Sequence, residues 1–283
     1  AETKNFGDDY PASYIGQDSA LAGVELVSGV TYSSTAFRNA VTDAYTALFA
    51  VADVAAGEMS DDQMAAEAIG ELLPSSLDNT GACKVDGLFV SSNRTGYAMV
   101  ADKVAYVTDA FGNYVGSKSF DDAASEDASV VEAVKTAAAG AYAAASEKNI
   151  SRIVKMYKDA EVVTLTPTGV QSTVNGAYTF TSEGATYYAM TASAFGYGGP
   201  VNLLYIVDEN GTIAKFKVMS HNETEYYGDV VSQSSYTNGY PGQQLDSIGD
   251  DVLVVSGCTF TTNAVKTAAA DVAAAFNAVK EAQ

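Results

Sequence analysis

The sequence predicts an α+β fold in two domains, residues 1–149 and 150–283, each a twisted, mostly antiparallel sheet packed with helices. Three observations support this prediction. The chain has 283 residues, of which 47% are hydrophobic, and this is enough for more than one core. Strand-like runs lie between helical runs in both halves. A segment near the C-terminus also recurs near the N-terminus, which indicates repeated units.

The first domain opens with a loop-rich segment, residues 1–26. A long helix is predicted from Ser33 or Ser34, because apolar residues then recur at helical spacing. A second helix is predicted after Ser60, a good N-cap residue that is followed by two aspartates. Residues 84–120 have the composition of strands, and an Ala-rich helix closes the domain.

The second domain has a more regular order. A short helix at 150–160 leads into strand-like runs, with a hairpin turn predicted at 208–211. A segment rich in Gly, Ser and Tyr follows. The apolar run 252–255 then predicts a central strand, and an Ala-rich helix extends to about Lys280.

The most informative motif lies where the run 252–255 meets the last helix. Gly257 ends the run with a residue that tolerates a positive φ, and the hydroxyl residues Thr259, Thr261 and Thr262 follow. Hydroxyl residues cap a helix start, and the free N–H groups together with the helix dipole favour an anion. The motif therefore predicts either a phosphate site or an ordinary helix cap without a ligand.

A second copy of this motif occupies residues 27–41. Aligning Thr31 with Thr259 also pairs Ser28 with Ser256, Gly29 with Gly257, Ser33 with Thr261 and Ser34 with Thr262. Upstream of the two copies, Glu2-Thr3 matches Glu223-Thr224. A helix cap alone does not require this Glu-Thr pair, so the duplication favours a repeated binding site.

Both copies, SGCTFTT and SGVTYSS, resemble the S-G-A-T-x-[TS]-[TS] signature of FMN-binding domains in the small flavin subunits of the Rnf complex and of sodium-pumping NADH:quinone oxidoreductase. The resemblance covers residues 155–283 and includes a G-Y-G-G-P segment and an H-x-E-T loop. Where the signature has Ala, this chain has Val30 and Cys258.

The resemblance implies two FMN groups, one in each domain, joined by phosphoester bonds to Thr31 and Thr259. The hydroxyl residues and glycines around them would hold the phosphate, the Glu-Thr pairs would contact the flavin ring, and the G-Y-G-G-P glycines would allow close backbone approach. The residues expected to bind FMN are, in chain order, Glu2, Thr3, Ser28, Gly29, Thr31, Ser33, Ser34, Gly198, Gly199, Glu223, Thr224, Ser256, Gly257, Thr259, Thr261 and Thr262.

The first domain has an unusual order, because its proposed site and helix precede its strands. Either it is a circularly rearranged relative of the second domain, or residues 1–50 are the tail of a domain whose front half lies outside this chain. A third copy of the helix start, at 125–128, has Glu126 and Asp127 in the turn and lacks the acceptor hydroxyl. We expect that copy to be structural.

The implied function is electron transfer between a membrane-bound donor and an external acceptor, on the outer side of the membrane, after a flavin transferase has attached FMN. The alternative is a structural protein that uses such domains as building units and assembles head to tail as a homo-oligomer. The net charge of −20, from 35 acidic and 15 basic residues, argues against nucleic acid as a partner. His221 is the only histidine, so it predicts neither a metal site nor a catalytic triad and is expected to be structural.

Overall fold

The computed structural model describes residues 9–15, 21, 24, 31–52, 59–74, 82–169, 173–225, 228–248 and 254–282. The helices within these residues are α1 (Asp9–Ala12), α2 (Thr31–Ala52), α3 (Asp61–Leu72), α4 (Ala128–Met156), α5 (Ser234–Thr237) and α6 (Thr259–Glu281). The strands are β1 (Ala82–Val85), β2 (Leu88–Ser91), β3 (Gly96–Ala101), β4 (Val104–Asp109), β5 (Tyr114–Ser119), β6 (Glu161–Thr164), β7 (Val174–Ser182), β8 (Ala185–Phe195), β9 (Pro200–Asp208) and β10 (Ile213–Ser220). They belong to two compact units, Ala1–Met59 and Ser60–Gln283.

The N-terminal unit contains α1 and α2. Helix α2 begins at Thr31, slightly earlier than the predicted start at Ser33 or Ser34. An apolar cluster around Tyr10 and Tyr14 packs against one side of α2, where Phe37 is partly buried. The Tyr10 hydroxyl also donates a hydrogen bond to the Ser34 carbonyl, 3.2 Å away. These contacts hold the start of α2 against the segment that precedes it.

The first sheet of the second unit has five antiparallel strands in the order β1-β2-β3-β4-β5. Tight two-residue turns join β1 to β2 at Asp86-Gly87 and β3 to β4 at Asp102-Lys103, and all four residues have positive φ, between 48° and 88°. Paired positive φ angles match the right-handed twist of adjacent strands. Within β4, alternate residues contribute to different apolar clusters, so both faces of the sheet are buried.

Two helices cover this sheet. Helix α3 starts as predicted, with Ser60 as its N-cap and a reciprocal capping box with Gln63. Ile69 of α3 is fully buried in a cluster with Val107 on one face. The N-terminal half of α4 covers the other face, where Val134 is fully buried in a cluster with Tyr106.

Helix α4 is a single helix of 29 residues. The separate short helix predicted at 150–160 is therefore wrong, because residues 150–156 are the last turns of α4. Ile153 from this end packs with Tyr178 and Ile206 on one face of the second sheet. The same helix thus contacts both sheets.

The second sheet also has five antiparallel strands, in the order β10-β9-β8-β7-β6. Its other face carries the largest apolar cluster, in which Val265, Val272 and Phe276 of α6 pack against β8 and β9. The hairpin turn predicted at 208–211 is present, since Gly211 has φ +80° and Asp208 accepts the Asn210 and Thr212 N–H groups at 2.8 and 2.9 Å. Each sheet therefore lies between a helix that precedes it and a helix that follows it.

The predicted α+β class with antiparallel sheets is confirmed. The boundary at 149/150 and the rearrangement of the first domain stay predictions, although α4 spans that boundary. Of the central strand predicted at 252–255, residues 252 and 253 lie outside the described part of the chain. Val254 and Val255 belong to no strand, so the prediction is wrong for them.

Candidate functional site

The candidate site is built around the start of α6. This helix begins at Thr259, so the hydroxyl cluster lies inside its first turn rather than ahead of it. Gly257 has φ +86°, and a Cβ atom placed there would have no neighbour within 4 Å. Cys258 is the N-cap residue and contributes no side-chain capping bond. Because the first N–H groups of a helix have no acceptor within the helix, this helix start suits an anion.

The three threonines of this turn differ in their surroundings. Thr259 is exposed, whereas Thr261 and Thr262 are 1% and 0% exposed. Thr261 donates its hydroxyl hydrogen to Glu223 Oε2, and Thr262 donates to the Cys258 carbonyl at 3.0 Å. Two hydroxyls therefore hold the helix start in place, and Thr259 is the one accessible for modification. The role of Thr261 and Thr262 as phosphate ligands stays a prediction.

Glu223 connects this helix start to the G-Y-G-G-P loop. It is only 9% exposed, and its Oε1 accepts the Gly198 N–H at 2.9 Å while Oε2 accepts from Thr261. A Cβ atom on Gly196 or on Gly228 would overlap the Glu223 carboxylate. These glycines are therefore required by the packing around one buried acid.

The remaining predicted residues of this loop region lie beside Glu223. A Cβ on Gly198 would overlap the Asn222 carbonyl oxygen, whereas Gly199 has φ +125° and open space around its Cβ position. Thr224 is exposed, and its carbonyl accepts the Gly228 N–H at 3.1 Å. Ser256 is also exposed in the turn before α6. The structure thus brings all the predicted residues of the C-terminal copy into one region.

Asp229 was missed by the sequence reasoning. Its Oδ1 atom is buried and has no hydrogen-bond partner among the residues that the structure describes. Burial raises the pKa of the nearby Cys258 thiol, and the negative charges of Asp229 and Glu223 raise it further. An acceptor without a donor therefore lies close to the start of α6, beside a neutral thiol. Asp8 follows Glu2 by six residues, as Asp229 follows Glu223, and this match between the two copies is the sequence signal that points to Asp229.

Helix α4 begins with a related sequence in which a carboxylate of the protein is the cap. When its sequence is aligned with that of α6, Asp127 falls on Cys258 and Ala128 on Thr259, and each pair occupies the N-cap and first helical positions. Asp127 Oδ1 accepts both the N–H and the hydroxyl of Ser129, each at 2.7 Å. Since a carboxylate of the protein already caps α4, the structural role predicted for this copy agrees with its geometry.

The N-terminal copy is described only in part. Glu2, Thr3, Ser28 and Gly29 lie outside the described residues, as do the side chains of Thr31 and Ser33. Thr31 is the first residue of α2, as Thr259 is of α6. Ser34 is 0% exposed, as its counterpart Thr262 is. The two helices therefore begin at corresponding residues, and the one described pair of hydroxyl residues, Ser34 and Thr262, is buried in both.

Other site types receive no support from the described residues. Within them, no three His, Cys, Asp or Glu side chains are grouped so that they could hold a metal ion. His221 accepts the Glu223 N–H at Nδ1, 3.2 Å away, which fits the structural role expected of it. Neither Cys83 nor Cys258 forms a disulfide. In this part of the chain no helix combines the length and apolar character needed to cross a membrane.

Residues 196–274 match the FMN-binding domain family. This confirms the resemblance over the G-Y-G-G-P loop, Glu223 and most of α6, a shorter stretch than the predicted 155–283. A relative from Clostridium ljungdahlii, a component of the proton-translocating ferredoxin:NAD(+) oxidoreductase complex, is 29% identical over 86 residues. That alignment covers 28% of this chain and 46% of the relative, so the chain spans about half the length of that protein.

The residues at this site fit FMN chemically. The start of α6 offers N–H donors to phosphate oxygens, and the exposed Thr259 hydroxyl can carry an ester. The buried Asp229 Oδ1 atom has no donor among the described residues, and the ribityl chain of FMN is a chain of hydroxyl donors. Open space beside Gly199 and Gly257 leaves room for a group to approach the backbone.

Proposed function

We propose that this chain is an electron-transfer protein that carries FMN on Thr259. The observation that carries the proposal is the coincidence of the family match at 196–274 with the site geometry. Within that stretch, one exposed threonine lies at the start of α6. Glu223 accepts hydrogen bonds from Thr261 in the same turn and from Gly198 of the G-Y-G-G-P loop.

The bound FMN supplies the redox chemistry, and the protein positions it and tunes its surroundings. In this proposal Thr259 provides the ester oxygen, and the N–H groups at the start of α6 bind the phosphate. Glu223 keeps the G-Y-G-G-P loop against that helix start. Thr224, which is exposed next to Glu223 in the loop after β10, provides a polar contact for the flavin ring.

A second FMN on Thr31 forms part of the proposal. It is supported by the match between the two sequence copies and by the equal placement of Thr31 and Thr259 at the first position of a helix. Glu2, Thr3, Ser28, Gly29, Ser33 and Ser34 would surround it. In this proposal two flavins in one chain relay electrons from a membrane-bound donor to an external acceptor outside the cytoplasmic membrane, after a flavin transferase has formed both esters.

Intact mass and the absorbance spectrum test this proposal directly. The chain is purified from cells that supply a flavin transferase, and each ester should add one FMN minus one water. Thr259→Ala should remove one such addition and Thr31→Ala the other. Thr267→Ala, which changes another exposed threonine of α6, is the matched control and should leave both additions in place. Colourless wild-type protein with the mass of its amino acids alone would overturn the proposal.

Head-to-tail assembly is a second candidate, favoured by the separation of Ala1–Met59 as its own compact unit. In that arrangement the N-terminal copy would complete a domain of a neighbouring molecule. Light scattering after size-exclusion chromatography separates the two candidates. A concentration-dependent series of oligomers supports assembly, whereas a monodisperse monomer contradicts it.

A further inference from the structure

A small cleft lies beside the loop that carries Glu223, at the junction of the two sheets. Its eight lining residues come from the β2–β3 turn of the first sheet, including Arg94, and from β9, β10 and the following loop of the second, including Asn202 and His221. The cleft measures about 170 Å³. Ligand pockets for drug-sized molecules are about 300–1,000 Å³, so this cleft suits a group of few atoms.

The charge of the cleft is opposite to that of the chain. The protein carries 35 acidic and 15 basic residues, yet the lining contains one arginine, one histidine and no carboxylate. The His221 ring accepts the Glu223 N–H at Nδ1, so the neutral ring carries its hydrogen on Nε2 and is a donor there. Amide and hydroxyl groups complete most of the lining. The cleft therefore offers hydrogen-bond donors and positive charge to an anion.

The turn that carries Arg94 is fixed to the second sheet. Asn93 is 2% exposed, and its side chain donates to the Ser193 carbonyl at 3.1 Å. Its own carbonyl accepts from the Asn175 side chain at 3.2 Å. Ser91 and Thr95 both donate hydroxyl hydrogens to Asn93 Oδ1, at 3.0 and 2.8 Å. A buried network thus joins the turn that carries Arg94 to the second sheet, and Arg94 lines the same cleft as His221.

Arg94 lies in the β2–β3 turn with its side chain exposed. Arg94 has φ +59°, in the left-handed region where Gly and Asn are the usual residues. The guanidinium is near Tyr97, where its positive charge opposes the rise in the phenol pKa that burial causes. Arg94 is exposed, and its side chain lines the same cleft as the donor His221.

We propose that this cleft binds a small oxyanion, either a phosphate group or a carboxylate, with Arg94 as its main ligand and His221 Nε2 as a second donor. The guanidinium fork matches the geometry of both groups. The proposal holds whether or not Thr259 carries FMN, because none of the contacts used involves α6.

The single histidine of the chain makes the test direct. The His221 ring resonances are followed by NMR while sodium phosphate or sodium acetate is added at constant ionic strength, with chloride as the background anion. Saturable shifts with phosphate, with acetate or with both support the site and identify which group it accepts. Shifts no larger than those with chloride overturn the proposal.

Variants then assign the binding to Arg94. Arg94→Gln should weaken binding at least about tenfold, since hydrogen bonds between charged groups are the strong ones. Lys148→Gln removes the same charge from an exposed position on α4 and should stay within about twofold of wild type. Arg94→Gly, which suits a positive φ, should fold normally and also lose binding. Binding by Arg94→Gln equal to that of Lys148→Gln would overturn the proposal.

Discussion

The hydrogen bond between Thr261 and Glu223 should be the most important polar contact at the start of α6. Thr261 is 1% exposed and donates to a carboxylate that is itself 9% exposed. Thr261→Val keeps the shape of the side chain and removes the donor. Hydrogen bonds to charged groups contribute about 1.5–3 kcal/mol, so we expect the free energy of unfolding to fall by about 2 kcal/mol. For a domain of this size that corresponds to a fall in Tm of about 4–8 °C.

The assay is urea and thermal unfolding followed by circular dichroism, with two controls on the same helix. Thr262→Val removes only a bond to a backbone carbonyl and should reduce stability by about 1 kcal/mol. Thr267→Val is exposed and should stay within about 0.5 kcal/mol of wild type.

A double-mutant cycle with Glu223→Gln completes the test. The Gln oxygen can still accept the Gly198 N–H and its N–H can donate to the Thr261 oxygen, so this substitution removes the charge and keeps a neutral bond. The two substitutions should therefore show a coupling energy of about 1 kcal/mol, the difference between a charged and a neutral hydrogen bond. Thr261→Val as stable as Thr267→Val, together with additive effects in the cycle, would refute the reasoning.

Three further predictions follow from the same structure. Gly198→Ala should lower the unfolding free energy by about 2 kcal/mol, because its Cβ would meet backbone atoms. Gly140→Ala, in the open middle of α4, should raise the unfolding free energy by about 0.5–1 kcal/mol. Thermal denaturation in which both variants change stability in the same direction would contradict this. Cys258→Asp would place a carboxylate at the N-cap of α6, as in α4. Because the carboxylate repels phosphate, FMN attachment measured by intact mass should fall. Undiminished attachment would argue against a phosphate at this turn. Hydrogen bonds from the Ser129 side chain and backbone lower the pKa of Asp127, so the stabilisation it provides is present above the ordinary Asp pKa of about 3.9 and is lost as the pH falls through the lowered folded value. The difference in unfolding free energy between wild type and Asp127→Ala should therefore shrink in acid, and a difference independent of pH would contradict the assignment.

Local chemistry was sufficient to predict several elements of the fold. The Ser60 cap and the acidic residues after it identify α3, and the turn at 208–211 identifies the β9–β10 hairpin. The continuity of α4 could not be read in this way. Its middle contains Ser146 and Asn149, which do not favour a helix, but both contact the buried Tyr178 hydroxyl of the second sheet at 3.2 and 3.0 Å. Tertiary contacts thus decide the conformation there.

The candidate site was predictable at the level of its sequence segments but not of its contacts. The repeat identified Thr259 and Glu223 as members of one site, since both recur in the N-terminal copy. That Glu223 accepts from Thr261 depends on the approach of two segments far apart in sequence. Asn93 and Arg94 had no signal in the repeat, because they belong to a turn of the other sheet.

Helix α4 covers one face of each sheet, the first with its N-terminal half and the second with its C-terminal end. A fragment that starts at residue 150 would begin inside the helix and lose the part that covers the first sheet. Residues 60–283 should accordingly melt in a single transition and be expressed as one piece. A flavin fixed at the start of α6 would then keep a constant separation from the first sheet while electrons enter and leave.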